Sequence, residues 1–239
     1  MMNPTIAMIT FRAMLGRRRA LLLLGLPLIL LVLAAALRIT DYHDLDTSAN
    51  VLQRFGLATL LPLLALIAGT GVIGPEIDDG QIMYILTKPI PRPVIVLTKL
   101  AVAYVLVILF AVIPVLLTGI IMSGNTAQIT SAFTIGVLVG GATYSAIFVA
   151  LAVVSRNAVA IGLLYVLVWE ILLGNFAPGA KSASVQQWAL SVTDALTDAS
   201  PVKSTVDLPV AVGLLVVVTA LGASFASFRL RSLSVASAE

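Results

Sequence analysis

Long uncharged runs constrain the fold of this chain more than any other feature. Residues 20–37 form one run of 18 residues without a charge, and comparable runs recur along the sequence. A helix that crosses a bilayer needs roughly 17–25 predominantly apolar residues. In lipid, only helices and closed barrels satisfy every backbone polar group, and these runs lack the alternating pattern of barrel strands. The sequence therefore predicts an all-α integral membrane protein.

The composition excludes a soluble domain of ordinary type. Hydrophobic residues make up 60% of the 239 residues, and charged residues only 10%. Soluble domains carry about 45–50% apolar and about 25% charged residues. A chain of this size cannot hide so much apolar surface in its own core, so lipid must be part of its solvent.

The apolar runs predict six membrane spans, at about 20–37, 56–74, 100–122, 131–154, 158–174 and 208–228. Prolines inside three of them, Pro27, Pro62 and Pro114, predict kinks that neighbouring helices must accommodate. We expect the first run to be a retained span, because it is longer than the apolar core of about 7–15 residues in a signal peptide.

Residues 4–18 precede the first span and predict a helix that begins at Pro4. Its apolar residues share one face, which suits a helix lying in the headgroup region of the membrane. A simple lead-in to the first span remains the alternative.

The distribution of the 14 basic residues predicts the orientation. Ten lie in segments that would be cytoplasmic if the N-terminus is inside: Arg12, Arg17, Arg18, Arg19, Lys88, Arg92, Lys99, Arg156, Arg229 and Arg231. The other four, Arg38, Arg54, Lys181 and Lys203, would be external. The positive-inside rule favours this arrangement, with both termini in the cytoplasm. Arg156, in the short turn between spans four and five, is interpreted as a topology anchor.

Residues 175–207 are too polar to span and contain Pro178, Gly179 and Pro201. A short amphipathic helix is predicted near 185–196. We interpret the whole segment as an external helical hairpin, re-entrant or lying on the surface, before the last span.

The most informative segment is GPEIDDGQIMYILTKPIPRP, residues 74–93, between spans two and three. Pro75 suits a first helical position, and acidic residues crowd the first turn, where the helix dipole favours negative charge. Lys88 precedes Pro89, so the helix should end there. The pattern predicts a short cytoplasmic helix over 75–88, acidic at its start and basic at its end.

This segment resembles that of the type-2 permeases of ATP-binding-cassette (ABC) exporters. The matching positions are Glu76, Gly80, Ile85-Leu86, Lys88-Pro89 and Lys99, which opens span three. The resemblance implies that the helix docks on a separate ATPase subunit and transmits its motion. The residues expected to carry this coupling are Glu76, Ile77, Asp79, Gly80, Tyr84, Ile85 and Lys88. A loop whose charges merely match the helix dipole is the alternative.

Glu170 is the one acidic residue that we expect within a span. An ionisable group in lipid indicates function by default, and the resemblance implies a structural or gating role, as a gate or latch. The alternative is a carboxylate at the outer membrane surface beside Trp169, whose ring suits that boundary.

Gly136 and Gly140 in span four form a pair of small residues four apart, a pattern that permits close approach of helices. The sequence leaves open whether this face packs within one subunit or against a second one.

The chain contains no G-x-x-x-x-G-K-[ST] loop, so it is expected not to be an enzyme, and ATP and Mg²⁺ would bind a partner ATPase. We predict the permease subunit of an ATP-driven exporter in a bacterial plasma membrane. It would move an amphipathic substrate (a drug, lipid or peptide) and work with ABC ATPase subunits, a second permease subunit (identical or related) and membrane lipids. No metal, cofactor or nucleic acid is expected in the chain itself. An ion-gradient-driven secondary carrier and a non-transporting membrane assembly or immunity factor are the alternatives.

Overall fold

The computed structural model describes residues 4–41, 44–78, 91–124, 126–173, 181–197 and 201–232. In these residues the chain is helical and contains no strand, which confirms the all-α class. The α-helices are Pro4–Met14, Arg17–Ile39, Leu45–Val51, Leu61–Gly71, Gly74–Asp78, Arg92–Val107, Ile113–Ser123, Ile129–Val154, Ala158–Leu164, Val185–Asp194 and Leu208–Ser232. Three π-helical segments, Leu52–Leu60, Ile108–Val112 and Tyr165–Leu173, and a 3₁₀ turn, Thr126–Gln128, interrupt or extend them.

Within the described residues, five continuous helical stretches are long and apolar enough to cross a membrane. We call them the first, second, third, fourth and last spans: Leu21–Ile39, Leu45–Glu76, Arg92–Ser123, Thr126–Val154 and Leu208–Leu230. A sixth stretch, the short apolar helix Ala158–Glu170, is shorter than the others. Residues 174–180 after it lie outside the described part of the chain, so the predicted crossing at 158–174 and the count of six stay predictions.

The helix bounds differ from those predicted at the amino-terminal side of three spans. The predicted helix 4–18 ends at Met14, and a new helix starts at Arg17, because Gly16 has an extended ψ of 142° that no helix continues through. The second span starts at Leu45 after Asp44, whose extended backbone suits a helix start. The third starts at Arg92, with proline in its first turn.

Prolines account for two of the π-helical segments. Pro62 follows the segment Leu52–Leu60 within two residues, and Pro114 likewise follows Ile108–Val112. Proline lacks an N–H donor and its ring crowds the carbonyl four residues earlier. A wider turn relieves that crowding, so at Pro62 and Pro114 the chain has a local π-helix. Pro27, by contrast, lies within the regular helix Arg17–Ile39.

The fourth span is the centre of the bundle. It packs against the second, third and last spans and against the helix Val185–Asp194, which we call the amphipathic helix. In the most apolar window of each span, 72% of the second and 67% of the fourth is buried, against 22% of the first and 11% of the last. The first and last spans therefore present apolar faces outward, to lipid or to another subunit.

Polar side chains join the spans at a few points. Arg38 Nη1, near the end of the first span, donates to the Met122 carbonyl at 3.1 Å, so the first and third spans end at the same face of the bundle. Between the fourth and last spans, the hydroxyls of Thr143 and Thr219 lie 2.9 Å apart. Each of these contacts satisfies a polar group that lipid cannot.

The small residues of the fourth span pack within this subunit. A Cβ on Gly140 would lie 2.9 Å from Ala189 Cβ on the amphipathic helix and 3.2 Å from Leu61 on the second span. A Cβ on Gly136 would meet the Thr193 hydroxyl. Both glycines are therefore needed for the close approach of the amphipathic helix.

Gly140→Val should lower the free energy of unfolding in detergent by about 1–3 kcal/mol, because the added side chain overpacks this contact. Gly213→Val is the matched control: Gly213 lies in the last span, and a Cβ there meets no atom within 4 Å. Chemical denaturation of the purified chain measures both variants. Equal loss of stability in the two would show that helix propensity, not packing, is responsible.

Candidate functional site

Lys99, near the start of the third span, is fully buried. Its Nζ donates to Glu76 Oε1 at 2.6 Å and to the Val72 carbonyl at 2.6 Å. It also lies 3.4 Å from the Thr10 hydroxyl on the helix Pro4–Met14. One ammonium group thus joins the third span to the end of the second span and to the amino-terminal helix.

The end of the second span explains why the lysine is held there. The regular helix stops at Gly71 and the chain turns before the helix Gly74–Asp78 begins. The last carbonyls of a helix have no partner within it and attract cations. Val72 offers such a carbonyl, and the next helix brings the Glu76 carboxylate to the same point.

Because the Lys99 ammonium is buried, it must be paired and hydrogen-bonded. Lys99 has no exposed side-chain surface, whereas the Glu76 side chain is 22% exposed. A buried charge is tolerated only when it is paired and hydrogen-bonded. The Lys99 ammonium meets this condition through Glu76, Val72 and Thr10, so the positions of the three helices depend on one another.

The structure places part of the predicted coupling segment. Glu76 lies in the short helix Gly74–Asp78 and is directed to Lys99; Ile77 belongs to the same helix, and its side chain is not described. Asp79, Gly80, Tyr84, Ile85 and Lys88 lie outside the described residues. Of the residues that carry the resemblance, the structure brings together Glu76 and Lys99.

Sequence reasoning did not anticipate that pairing. The helix dipole accounts for Glu76, and the resemblance places Lys99 at the start of span three, but neither pattern links the two charges. The available signal was the position of Lys99, a single cation several residues inside an apolar run. Such a residue requires a partner, and Glu76 is the acid at the end of the preceding span.

Glu170 is the last residue of the short apolar helix and forms a second polar cluster. It is 1% exposed. Its Oε1 accepts from Tyr165 Oη at 2.9 Å and from the Val185 backbone N–H at 3.2 Å, and its Oε2 accepts from the Ser184 hydroxyl. The carboxylate therefore links the short apolar helix to the first residues of the amphipathic helix.

Local geometry produces this cluster. Tyr165 and Glu170 lie five residues apart in the π-helical segment, whose hydrogen bonds join residues five apart, so the two side chains share one face. Ser184 is the N-cap of the amphipathic helix and accepts from the Gln187 N–H. Glu170 accepts from Val185, one of the N–H groups that the start of a helix leaves unsatisfied.

Two tryptophans hold the chain before the amphipathic helix. Trp169 Nε1 donates to the Ala183 carbonyl at 3.3 Å, and Trp188 Nε1 donates to the Ser182 carbonyl at 2.7 Å. The amphipathic helix confirms the helix predicted near 185–196, and its buried residues include Trp188, Ala189 and Leu190. Glu170 is thus part of a compact joint between the short apolar helix and this helix.

The described residues contain no group of three or more histidine, cysteine, aspartate or glutamate side chains that could hold a metal ion. The first polar cluster is a lysine–glutamate ion pair and the second is a single carboxylate, and each is hydrogen-bonded to the helices around it. Both tie helices together at the ends of the bundle.

An all-α bundle with several apolar spans, and with its polar clusters at the helix ends, defines a multi-pass membrane protein. A family model described as "ABC-2 family transporter protein" matches residues 15–172, and the chain belongs to this family of membrane transport permeases. No curated protein matches the chain.

Replacing one member of the Lys99–Glu76 pair should destabilise the chain unequally. Glu76→Leu leaves a fully buried ammonium without its carboxylate and should cost about 3 kcal/mol. Lys99→Met should cost less, because the Glu76 carboxylate left behind is partly exposed to water. The double variant should be close to Lys99→Met. Denaturation in detergent measures the cycle, with Lys203→Met at an exposed site as control. Additive losses would show that the two charges do not interact.

Glu170→Leu should release the start of the amphipathic helix. Loss of a helix cap costs about 1 kcal/mol or more, so amide exchange of residues 185–188 should accelerate by roughly tenfold. Hydrogen–deuterium exchange with mass spectrometry measures the effect. Asp207→Asn, which alters an exposed carboxylate, should leave those amides unchanged. Unaltered exchange in Glu170→Leu would remove Glu170 from the joint.

Proposed function

We propose that this chain is the permease subunit of an ATP-driven exporter, powered by a separate ABC ATPase. Membership of the ABC-2 family supports a permease, and that family implies an ATPase partner in general. The observation that carries the proposal is the buried Lys99 ammonium, which joins three helices at the base of the segment 76–88.

The route of the mechanical signal follows from these contacts. A force on the segment 76–88 acts first on Glu76, which continues directly from the second span. Through Lys99 the force reaches the third span, and through Thr10 it reaches the amino-terminal helix. A buried ion pair resists separation, so the three elements move together rather than independently.

At the opposite end, Glu170 acts as the latch. Its carboxylate fastens the amphipathic helix to the short apolar helix, and the amphipathic helix packs against the fourth and last spans. In the proposed orientation, with both termini cytoplasmic, this joint lies on the external side. Movement of the spans would then be passed to the external hairpin through one buried carboxylate.

The exporter would lie in a bacterial plasma membrane and contain two permease subunits, identical or related. The outward apolar faces of the first and last spans provide surface for a second subunit and for lipid. Because the spans carry mainly apolar and small side chains, we propose an amphipathic substrate of the drug, lipid or peptide class.

Docking of the segment 76–88 on the ATPase can be tested by substitution. Tyr84→Ala should weaken ATPase binding by about 2 kcal/mol, or roughly thirtyfold, because aromatic residues at the centre of an interface contribute most. Asp78→Ala, a charge in the same segment, should weaken it much less. Gly80→Val should also reduce binding, since a branched side chain obstructs close docking. Co-purification, followed by ATP hydrolysis relative to the isolated ATPase, measures these effects.

Wild-type binding and wild-type hydrolysis in both the Tyr84 and Gly80 variants would refute the coupling role. Transport that survives ATP depletion but stops when the ion gradient is removed would indicate a secondary carrier instead.

A further inference from the structure

A groove lies where the ends of the second and fourth spans meet the first span and the start of the short apolar helix. Its volume is about 310 Å³, and the residues that line it include Leu22, Ile67, Gly74, Pro75, Arg156 and Val159. It is separate from both the Lys99 pair and the Glu170 joint, and neither cluster contributes a residue to it.

The lining changes from apolar to charged within this one groove. Leu22 and Val159 are 60% and 59% exposed, and with Ile67 they form an apolar wall. Ser155 and Arg156 occupy the turn between the fourth span and the short apolar helix, at the end of the bundle. An occupant must therefore place apolar surface along the spans and a polar group at their ends.

The charge of the groove is positive. Arg156 is exposed, and among the described residues nothing forms an ion pair or hydrogen bond with its guanidinium. The run Arg17-Arg18-Arg19 opens the helix that contains Leu22, so its backbone lies within about one turn of the groove. Among the described residues, those that line the groove include no aspartate or glutamate.

We propose that this groove binds an anionic phospholipid of the cytoplasmic leaflet, with the phosphate on Arg156 and an acyl chain along Leu22, Ile67 and Val159. Basic pockets between membrane helices on the cytoplasmic side suit anionic headgroups, and guanidinium groups bind phosphate through paired hydrogen bonds. The cytoplasmic assignment rests on the orientation given under the proposed function; the lipid chemistry rests on the groove itself.

The position of the groove gives the lipid a structural role. Gly74 and Pro75 belong to its lining and also begin the helix that contains Glu76. A bound lipid therefore contacts the base of the segment 76–88 from the membrane side.

Native mass spectrometry of the purified full-length chain tests the site. The chain is incubated with equal amounts of phosphatidylglycerol and phosphatidylcholine that carry identical acyl chains. Wild type should retain phosphatidylglycerol in preference. Arg156→Gln should reduce that retention roughly fivefold, whereas Arg156→Lys should keep most of it. Arg54→Gln, at an exposed arginine in the π-helical segment of the second span, is the matched control and should behave as wild type.

Gly74→Leu provides a second, steric variant. A Cβ on Gly74 meets no atom within 4 Å, so the larger side chain is accommodated by the protein but occupies the groove. It should reduce retention of both lipids. Wild-type retention of phosphatidylglycerol in both Arg156→Gln and Gly74→Leu would overturn the proposal, as would displacement of the lipid by excess inorganic phosphate.

Two further measurements separate this proposal from the proposed function. Single cysteines at Asn157 and Thr205, in a chain without native cysteine, report the orientation through an impermeant thiol reagent applied to intact cells. Labelling at Thr205 alone supports the assignment of the groove to the cytoplasmic leaflet. Labelling at Asn157 contradicts that assignment. A chain that retains phosphatidylglycerol but binds no ATPase would refute the exporter and leave the lipid site standing.

Discussion

The ammonium group of Lys99 has no access to water, and this constraint organises one end of the molecule. A charge in such a place must be paired, and its partners come from the end of the second span and from the amino-terminal helix. The second span must therefore end where its Val72 carbonyl can face the third span. The amino-terminal helix must lie where Thr10 reaches the same point. Helix ends that hydropathy leaves loosely specified are positioned here by a single positive charge.

The same physical rule operates at other ends of the bundle. Arg38 donates a hydrogen bond to a carbonyl at the end of the third span, as Lys99 does at the end of the second. Glu170 provides the opposite arrangement, because its carboxylate accepts from an N–H group at the start of the amphipathic helix. Helix termini leave backbone groups unsatisfied, and lipid supplies no water to satisfy them. The chain has few charged residues, and several of them bond backbone groups that a helix end leaves without a partner.

Between the helix ends, the spans are held together by close packing and by hydrogen bonds between uncharged groups. Gly140 lets the amphipathic helix approach the fourth span, and the threonine hydroxyls at 143 and 219 satisfy each other across two spans. Because lipid is as apolar as the spans, there is no hydrophobic gain in bringing them together, and small residues and hydrogen bonds provide the attraction. The central fourth span and the outward-facing first and last spans follow from where those small residues occur.

The sequence predicted what depends on local pattern. The uncharged run 20–37 and the apolar face of 185–196 each specify a helix with little help from the rest of the chain, and both are present. The partners of Glu76 and Glu170 could not be predicted in this way, because Lys99 lies 23 residues from Glu76 and Ser184 lies 14 residues from Glu170. A local rule, the helix dipole, accounts for Glu76 without reference to Lys99, so the sequence pattern does not indicate the ion pair.

The residues next to Glu76 contact a different part of the molecule. Gly74 and Pro75 line the groove together with Arg156, whereas the Glu76 carboxylate accepts from Lys99. Three consecutive residues thus place the end of the second span between the buried Lys99 ammonium and the groove. In the proposed exporter, a force that the ATPase applies to the segment 76–88 would therefore pass directly to the second and third spans.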